Sequence, residues 1–421
     1  MLQNPPPRRS YCHDVFYEVN IRQYTKEGTI AAFSNHLPRL AEMGVTILWL
    51  MPHYPVGNRN RKGSAGSYYS IRDHRAVNPD FGTMDEFKSL VQRAHALDMK
   101  VIIDWVANHA AWDHVWTKSN PAFFQQDENG SFLSPYDWSD VIQIDHQNPN
   151  AHQALWEDMA FWIKETDVDG FRADMAHLTP LSFWLEARRK MECIKSDLIW
   201  LAETEDPTYY KAFDLVYAWK WMHKMEAFVK EHLPIHAFFD VLDDQEKPNS
   251  QEARQLYFTS NHDENSWNGT EFEKYGQYAE ALSVFAFLYP KAVPLIYTGQ
   301  EIPNRKRLAF FEEDPLDWPS DLKLDVFYKK LSLLRQRINE ETQFNFVDPV
   351  GRMIGFRLGE GVGEIIVWLN LDTIPQTPEN HTDGTNSYID WMLGTVETCI
   401  NQCKTLGPGE YLIWVRTNSN S

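Results

Sequence analysis

Eight short apolar runs, each followed by a longer stretch with helical character, set the strongest limit on how this chain can fold. They are Val15–Val19, Val45–Met51 (VTILWLM), Lys100–Val106 (KVIIDWV), Asp169–Asp174 (DGFRAD), Leu198–Glu203 (LIWLAE), Phe213–Trp219 (FDLVYAW), Leu256–Asn261 (LYFTSN) and Val293–Gly299 (VPLIYTG). Several are continuously apolar rather than alternating, the pattern of parallel strands covered on both faces. Between them lie amphipathic segments, among them Thr83–Met99, His152–Glu165, Leu181–Ile194 and Lys274–Tyr289. Thr83 followed by Glu86 three residues later is a capping-box pattern that starts the first of these. Eight strand–helix alternations favour a closed (β/α)₈ barrel over an open sheet.

Two stretches break the rhythm. Residues 110–150 are rich in Asp, Asn, Trp and Pro without a sustained helical period, and read as an excursion after the third strand. From residue 342 onward, short strand-like runs (MIGFRLG, GEIIVWLNL, GEYLIWVRT) replace the helices. The expected organisation is a barrel over 1–109 and 151–341, an inserted domain over 110–150, and a small antiparallel, sandwich-like β domain over 342–421. Pro375–Ser387 reads as a mobile loop.

The formal charge of −19 argues against nucleic-acid and anionic-membrane partners, which require clustered Lys and Arg. A neutral polyhydroxyl ligand is indifferent to that field. The 16 Trp residues read mainly as core, although stacking on sugar faces is also compatible with them. Cys12, Cys193, Cys399 and Cys403 lack metal-site spacing and read as reduced thiols. No apolar segment follows the arginines of MLQNPPPRRS and no run is long enough for a bilayer, so the sequence as written reads as cytoplasmic.

Polar residues gather where the predicted strands end: Asp104, Asn108 and His109, then Arg172 and Asp174, Glu203, and Asn261, His262 and Asp263. In a parallel barrel those ends converge on one rim. Three carboxylates and an arginine there suit glycosidic cleavage, which needs one ionised and one protonated carboxyl. Arg172 and Asp174 are two residues apart on a strand and share a face. The cation is expected to keep Asp174 ionised as a nucleophile. Burial within LIWLAE is expected to raise Glu203 as a proton donor.

With these residues in place, the chain resembles the α-amylase family, glycoside hydrolase family 13. DWVANH (Asp104–His109), GFRAD (Gly170–Asp174), LAE ending at Glu203 and FTSNHD (Phe258–Asp263) are similar to its four signature regions, in order. The resemblance implies Asp174 as nucleophile, Glu203 as acid/base and Asp263 as the carboxylate that stabilises the transition state. It implies substrate contacts from Tyr69, His109, Arg172 and His262, and a structural role for Asp104. The implied activity is retaining hydrolysis of α-1,4-glucosidic bonds in starch, glycogen or maltooligosaccharides. The alternatives are an α-glucan transglycosylase, an α-1,6-glucosidase, and a non-catalytic carbohydrate-binding scaffold.

Two departures from the family pattern stand out. His177-Leu178 occupies the place of a common Lys-His pair, which bears on the sugars of the acceptor side. Gln143 stands where an aspartate usually helps a structural calcium join Asn108 to the inserted domain. Asp137, Asp140 and Asp145 lie nearby and read as surface residues of a polar loop. The expectation is therefore that no cofactor is required and that no tightly held calcium bridges Asn108 to the insertion.

Overall fold

In a computed structural model, which describes residues 9–246, 254–319, 322, 324–378, 387–398 and 403–417, the eight apolar runs close into one parallel barrel. Its strands are β1 (Phe16–Val19), β2 (Ile47–Leu50), β3 (Lys100–Trp105), β6 (Gly170–Ala173), β7 (Ile199–Ala202), β8 (Leu215–Tyr217), β9 (Arg254–Tyr257) and β10 (Ala292–Tyr297). Around the barrel they run β1-β2-β3-β6-β7-β8-β9-β10 and back to β1. The short strands β4 (His109–Ala111) and β5 (Val141–Gln143) pair antiparallel and carry the two ends of the excursion.

The barrel strands are almost wholly buried, as their continuous apolar character demands. Gly170 opens β6 where it passes closest to β7: a Cβ there would lie 2.0 Å from the carbonyl oxygen of Ile199. On its other side β6 pairs with β3, which sets Arg172 in register with Asp104. The helix Met84–His95 begins with the expected box, Thr83 and Glu86 each bonding the other's backbone N–H. Its buried residues Phe87, Leu90, Val91 and Ala94 follow the helical period.

Two element boundaries differ from expectation. The single helix read over Lys274–Tyr289 is split into Glu271–Tyr275 and Ala279–Leu288, because Gly276 turns the backbone into the left-handed region at φ 57°. The seventh barrel strand is Arg254–Tyr257, ending earlier than the run Leu256–Asn261. Phe258–Asn261 leave the ladder and lead to His262 and Asp263.

The described part of 342–421 forms one antiparallel sheet of β11 (Phe344–Val350), β12 (Met353–Leu358), β13 (Ile365–Asn370), β14 (Ser387–Asp390), β15 (Thr395–Thr398) and β16 (Tyr411–Thr417). Alternation divides its two faces. Ile354, Phe356, Ile365, Val367 and Leu369 join the barrel's core, whereas Met353, Ile366, Trp368 and Trp414 form a separate outer cluster. The layer opposing the sheet's inner face includes Phe285 of the barrel helix Ala279–Leu288, in place of a second sheet. Residues 379–386 of the predicted loop, and Cys399, lie outside the described residues; Cys12, Cys193 and Cys403 are free. Among the described residues no helix is long and apolar enough to cross a membrane.

Candidate active site

Arg172 is the centre from which the rim chemistry is built. It is fully buried, with Nη1 2.9 Å from Asp104 Oδ1 and 3.0 Å from Asp174 Oδ1. Nε donates to the Tyr217 hydroxyl at 3.1 Å. Nη2 lies 2.9 Å from Glu203 Oε2, close enough for an ion pair but without hydrogen-bond alignment. The guanidinium also sits 4.9 Å from the Trp49 ring centroid. Three carboxylates outweigh the cost of its burial and hold it charged. Arg172 was expected to hold the sugar. The structure places it beneath the cavity instead, facing protein groups, because strand register directs it at Asp104.

A second network continues from Asp104, whose Oδ2 accepts from Trp49 Nε1 and the Tyr69 hydroxyl, both at 3.1 Å. The Tyr69 oxygen lies 2.7 Å from His262 Nε2, and Nδ1 of the same imidazole binds the buried carboxylate of Glu18. Asp263 Oδ2 is 3.2 Å from His262 Nε2. Burial opposes charge on His262, but Asp263 and Glu18 together outweigh it and raise its pKa to about 9. This imidazole is therefore a cation at neutral pH, with both nitrogens donating. His109 is the opposite case: burial lowers it to about 4 and leaves it neutral, edge-on to Trp138.

Asp174 and Glu203 follow directly after β6 and β7 and line one cavity of about 430 Å³ with Tyr69, His109, Trp138, Met175, His262 and Asp263. Met175 takes an unusual left-handed conformation at φ 40°, which aims its N–H at Glu203 Oε2, 2.7 Å away. Asp174 Oδ2 is buried and has no hydrogen-bond partner among the described residues. Its pKa is raised well above the usual carboxylate range, first by burial and then by the neighbouring Glu203, with Arg172 pulling the other way. This reverses the direction expected from Arg172 alone, because burial and the neighbouring Glu203 outweigh it.

Six of the seven site residues read from the sequence meet at this cavity, and the seventh, Arg172, braces it from below. Glu18, Trp49, Tyr217 and Met175 were missed. Glu18, Trp49 and Tyr217 lie within short apolar strand runs and Met175 just after one, so nothing local marks them. Trp138 stands in a polar loop and the half-exposed Trp267 in the polar turn Glu264–Asn268, where an aromatic side chain is a usable signal.

The model for "Alpha amylase, catalytic domain" matches residues 14–133. A noncanonic maltogenic α-amylase from Thermotoga neapolitana is 30% identical, superposes with a TM-score of 0.85, and is matched over 97% of this chain and 99% of its own. The chain belongs to the α-amylase family. Within that family it is also similar to Alpha-amylase 3 of Dictyoglomus thermophilum, 25% identical over 74% of this chain and 69% of that protein. An α-1,4-glucan:maltose-1-phosphate maltosyltransferase of Rhodospirillum rubrum is 32% identical over 47% of this chain, which spans 32% of that enzyme. As a member of the α-amylase family the protein is a glycosidase acting on O-glycosyl bonds, and an α-glucan is the consistent substrate class.

The calcium site implied by the family does not fit the residues present. Gln143 directs its side-chain nitrogen at Asn108 Oδ1 and Asn108 O, both 2.9 Å away, and at Ile144 O at 3.3 Å. A hydrogen-bond donor thus occupies the point where these oxygens converge, and calcium requires six to eight oxygens. Among the described residues no group of three or more His, Cys, Asp or Glu is arranged to hold a metal. Asp140, expected at the surface, is buried and paired with Lys62 at 2.9 Å.

Proposed function

We propose that the protein is a retaining hydrolase of α-1,4-glucosidic bonds in starch, glycogen or maltooligosaccharides. The observation that carries the reading is the unpartnered Oδ2 of Asp174 in a cavity shared with Glu203 and Asp263. In this reading Oδ2 attacks the anomeric carbon as Glu203 gives its proton to the leaving oxygen. Water, activated by the same Glu203, then releases the sugar from the glycosyl ester. Asp174 must be ionised for the attack, so the reactive complex carries the pair's proton on Glu203. One guanidinium bracing both carboxyls supports the short separation of retaining enzymes, about 5–5.5 Å.

Asp263 and His262 bind sugar hydroxyls, and the Asp263 carboxylate offsets the positive charge of the oxocarbenium-like transition state. Tyr69, locked by Asp104 and His262, presents its ring to the same sugar. The neutral His109 supplies a further hydrogen bond. Gln143 takes over the tie between Asn108 and the excursion, so activity requires no calcium there.

A transferase on the same scaffold is the second reading, favoured by the similarity to maltosyltransferases. It shares the glycosyl ester and differs only in the acceptor. Incubation with maltoheptaose and starch, with products sized by chromatography and first products examined by NMR, tests both. Hydrolysis with α-anomeric products is expected. β-Anomeric products would overturn the retaining assignment, and products longer than the substrate would shift the reading to transfer.

A further inference from the structure

Three loops that dock on one another wall one side of the cavity. The loop after β2 places Lys62 Nζ 2.9 Å from Asp140 of the excursion and 5.8 Å from the ring centroid of Phe311, which follows β10. Lys62, Asp140 and Phe311 all line the cavity that holds Asp174 and Glu203. The docking is firm. Ala65 N donates to Phe311 O at 2.9 Å, Ser64 N donates to the Glu312 carboxylate, and Ser70 Oγ donates to Asp140 O at 3.0 Å. Arg22 reaches across with bonds to Gly66 O at 2.9 Å and to Ala65 O and Phe310 O, both at 3.2 Å. Gly63, at φ 61°, permits the contact, since a Cβ there would lie 2.6 Å from Phe311 O.

Barrel topology says where that wall stands. Glu203 follows β7, which is separated from β2 by β3 and β6, and from β10 by β8 and β9. The loops after β2 and β10 each stand three places around the barrel from β7, across the rim from Glu203, and the excursion after β3 joins them through Asp140. In a retaining glycosidase the acid gives its proton to the leaving group. The leaving sugars therefore extend on the Glu203 side, and the non-reducing part of the substrate runs toward the clasp.

We infer that this clasp, with Lys62 as its plug, makes the enzyme act from the non-reducing chain end, releasing one or two glucosyl units rather than cutting inside the polymer. The inference rests on the hydrolase reading above and specifies its mode of action. A cavity of about 430 Å³ lies toward the small end of the usual range for small-molecule sites, roughly 300–1,000 Å³, which suits a product of that size. Lys62 is a replaceable part of the wall. Its side chain is 38% exposed, and backbone bonds and Arg22 hold the loop independently of it.

The test compares maltoheptaose carrying a free non-reducing end with the same oligosaccharide blocked there by a 4,6-ethylidene group, with products separated by chromatography. The native enzyme is expected to cleave the free-ended substrate on the order of 100-fold faster, because the blocking group meets the closed wall. Lys62→Ala should narrow that ratio about tenfold and lengthen the products. Asp140→Asn, which keeps the shape of the wall, should narrow it less. Cleavage of both substrates within about twofold by the native enzyme would overturn the inference. An unchanged ratio in a folded Lys62→Ala enzyme would overturn the role of Lys62. Failure to cleave either substrate would instead overturn the hydrolase reading, and the inference with it.

Discussion

Replacing Gln143 by aspartate exchanges an amide donor for a carboxylate at a point where three carbonyl oxygens converge. The present nitrogen contacts Asn108 O, Asn108 Oδ1 and Ile144 O. After the exchange Asn108 O keeps the N–H of Ile144, 3.0 Å away. Asn108 Oδ1 loses its donor in a residue only 2% exposed. An orphaned buried acceptor costs about 1–3 kcal/mol and the remaining lost bond about 1 kcal/mol, giving roughly 2–4 kcal/mol in all. For a chain this large that is a fall in Tm of about 2–5 °C. The new carboxylate beside Asn108 Oδ1 and Ile144 O is a set of calcium-type ligands, so millimolar calcium should restore part of the loss. At a calcium concentration about 100 times Kd the recovery would be near 2.7 kcal/mol.

Scanning calorimetry with and without EDTA reads both arms. The native protein should show the same Tm and the same glucan hydrolysis in EDTA and in calcium, whereas Gln143→Asp should show a calcium-dependent Tm. A Tm fall of more than about 5 °C on adding EDTA to the native protein would refute the reasoning, since it would mean that a metal already ties this point. So would a Gln143→Asp protein as stable as the native one without calcium.

The remaining expectations concern the carboxylates. Asp174→Asn should remove turnover by at least about 10⁴-fold with folding intact, because an amide forms no glycosyl ester. Glu203→Gln should be almost as inactive on glucans yet still become glycosylated by glucosyl fluoride, whose leaving group needs no proton, as followed by mass spectrometry; normal starch activity in that variant would remove Glu203 from its role. Asp174→Asn should also stabilise the protein at alkaline pH. The folded pKa of Asp174 is raised, so the native state binds this proton more tightly than the unfolded one, and stability declines as pH rises from the unfolded value of about 3.9 through the folded one. The asparagine variant has no such loss, and its Tm advantage should open from near zero at about pH 4 to a few degrees at pH 8. A constant difference across that range would contradict the burial argument.

What was legible in the sequence follows from what determines each part. VTILWLM, KVIIDWV and LIWLAE announce buried parallel strands because both of their faces must be apolar, and the carboxylates after them stand out against that background. Asp174, Glu203 and Asp263 needed only strand order to be brought together. The split at Gly276 and the early end of β9 were hidden, because a helical period and an apolar run each continue across a change in backbone direction. The Gln143 tie and the Lys62 clasp were hidden for a different reason. Each joins residues 35 or more positions apart on loops whose contacts exist only after the barrel has closed, so no local pattern encodes them.

Arg172 shows how far residue type alone misleads about role. An arginine two residues before the nucleophile reads as a hand for the sugar, but here Nε and Nη1 are held by Tyr217, Asp104 and Asp174, and Nη2 lies within ion-pair distance of Glu203. A fully buried cation among three buried carboxylates is a positioning device: their negative charge keeps it ionised, and its fixed fork sets Asp174 and Glu203 relative to each other. Burial pushes both Asp104 and Asp174 toward neutrality, and the guanidinium opposes that push. Neutralising Arg172 would therefore change which carboxyl holds a proton before it changed how tightly any sugar bound. Tyr69, His109, His262 and Asp263 line the cavity, and the substrate contacts proposed for this protein are assigned to them.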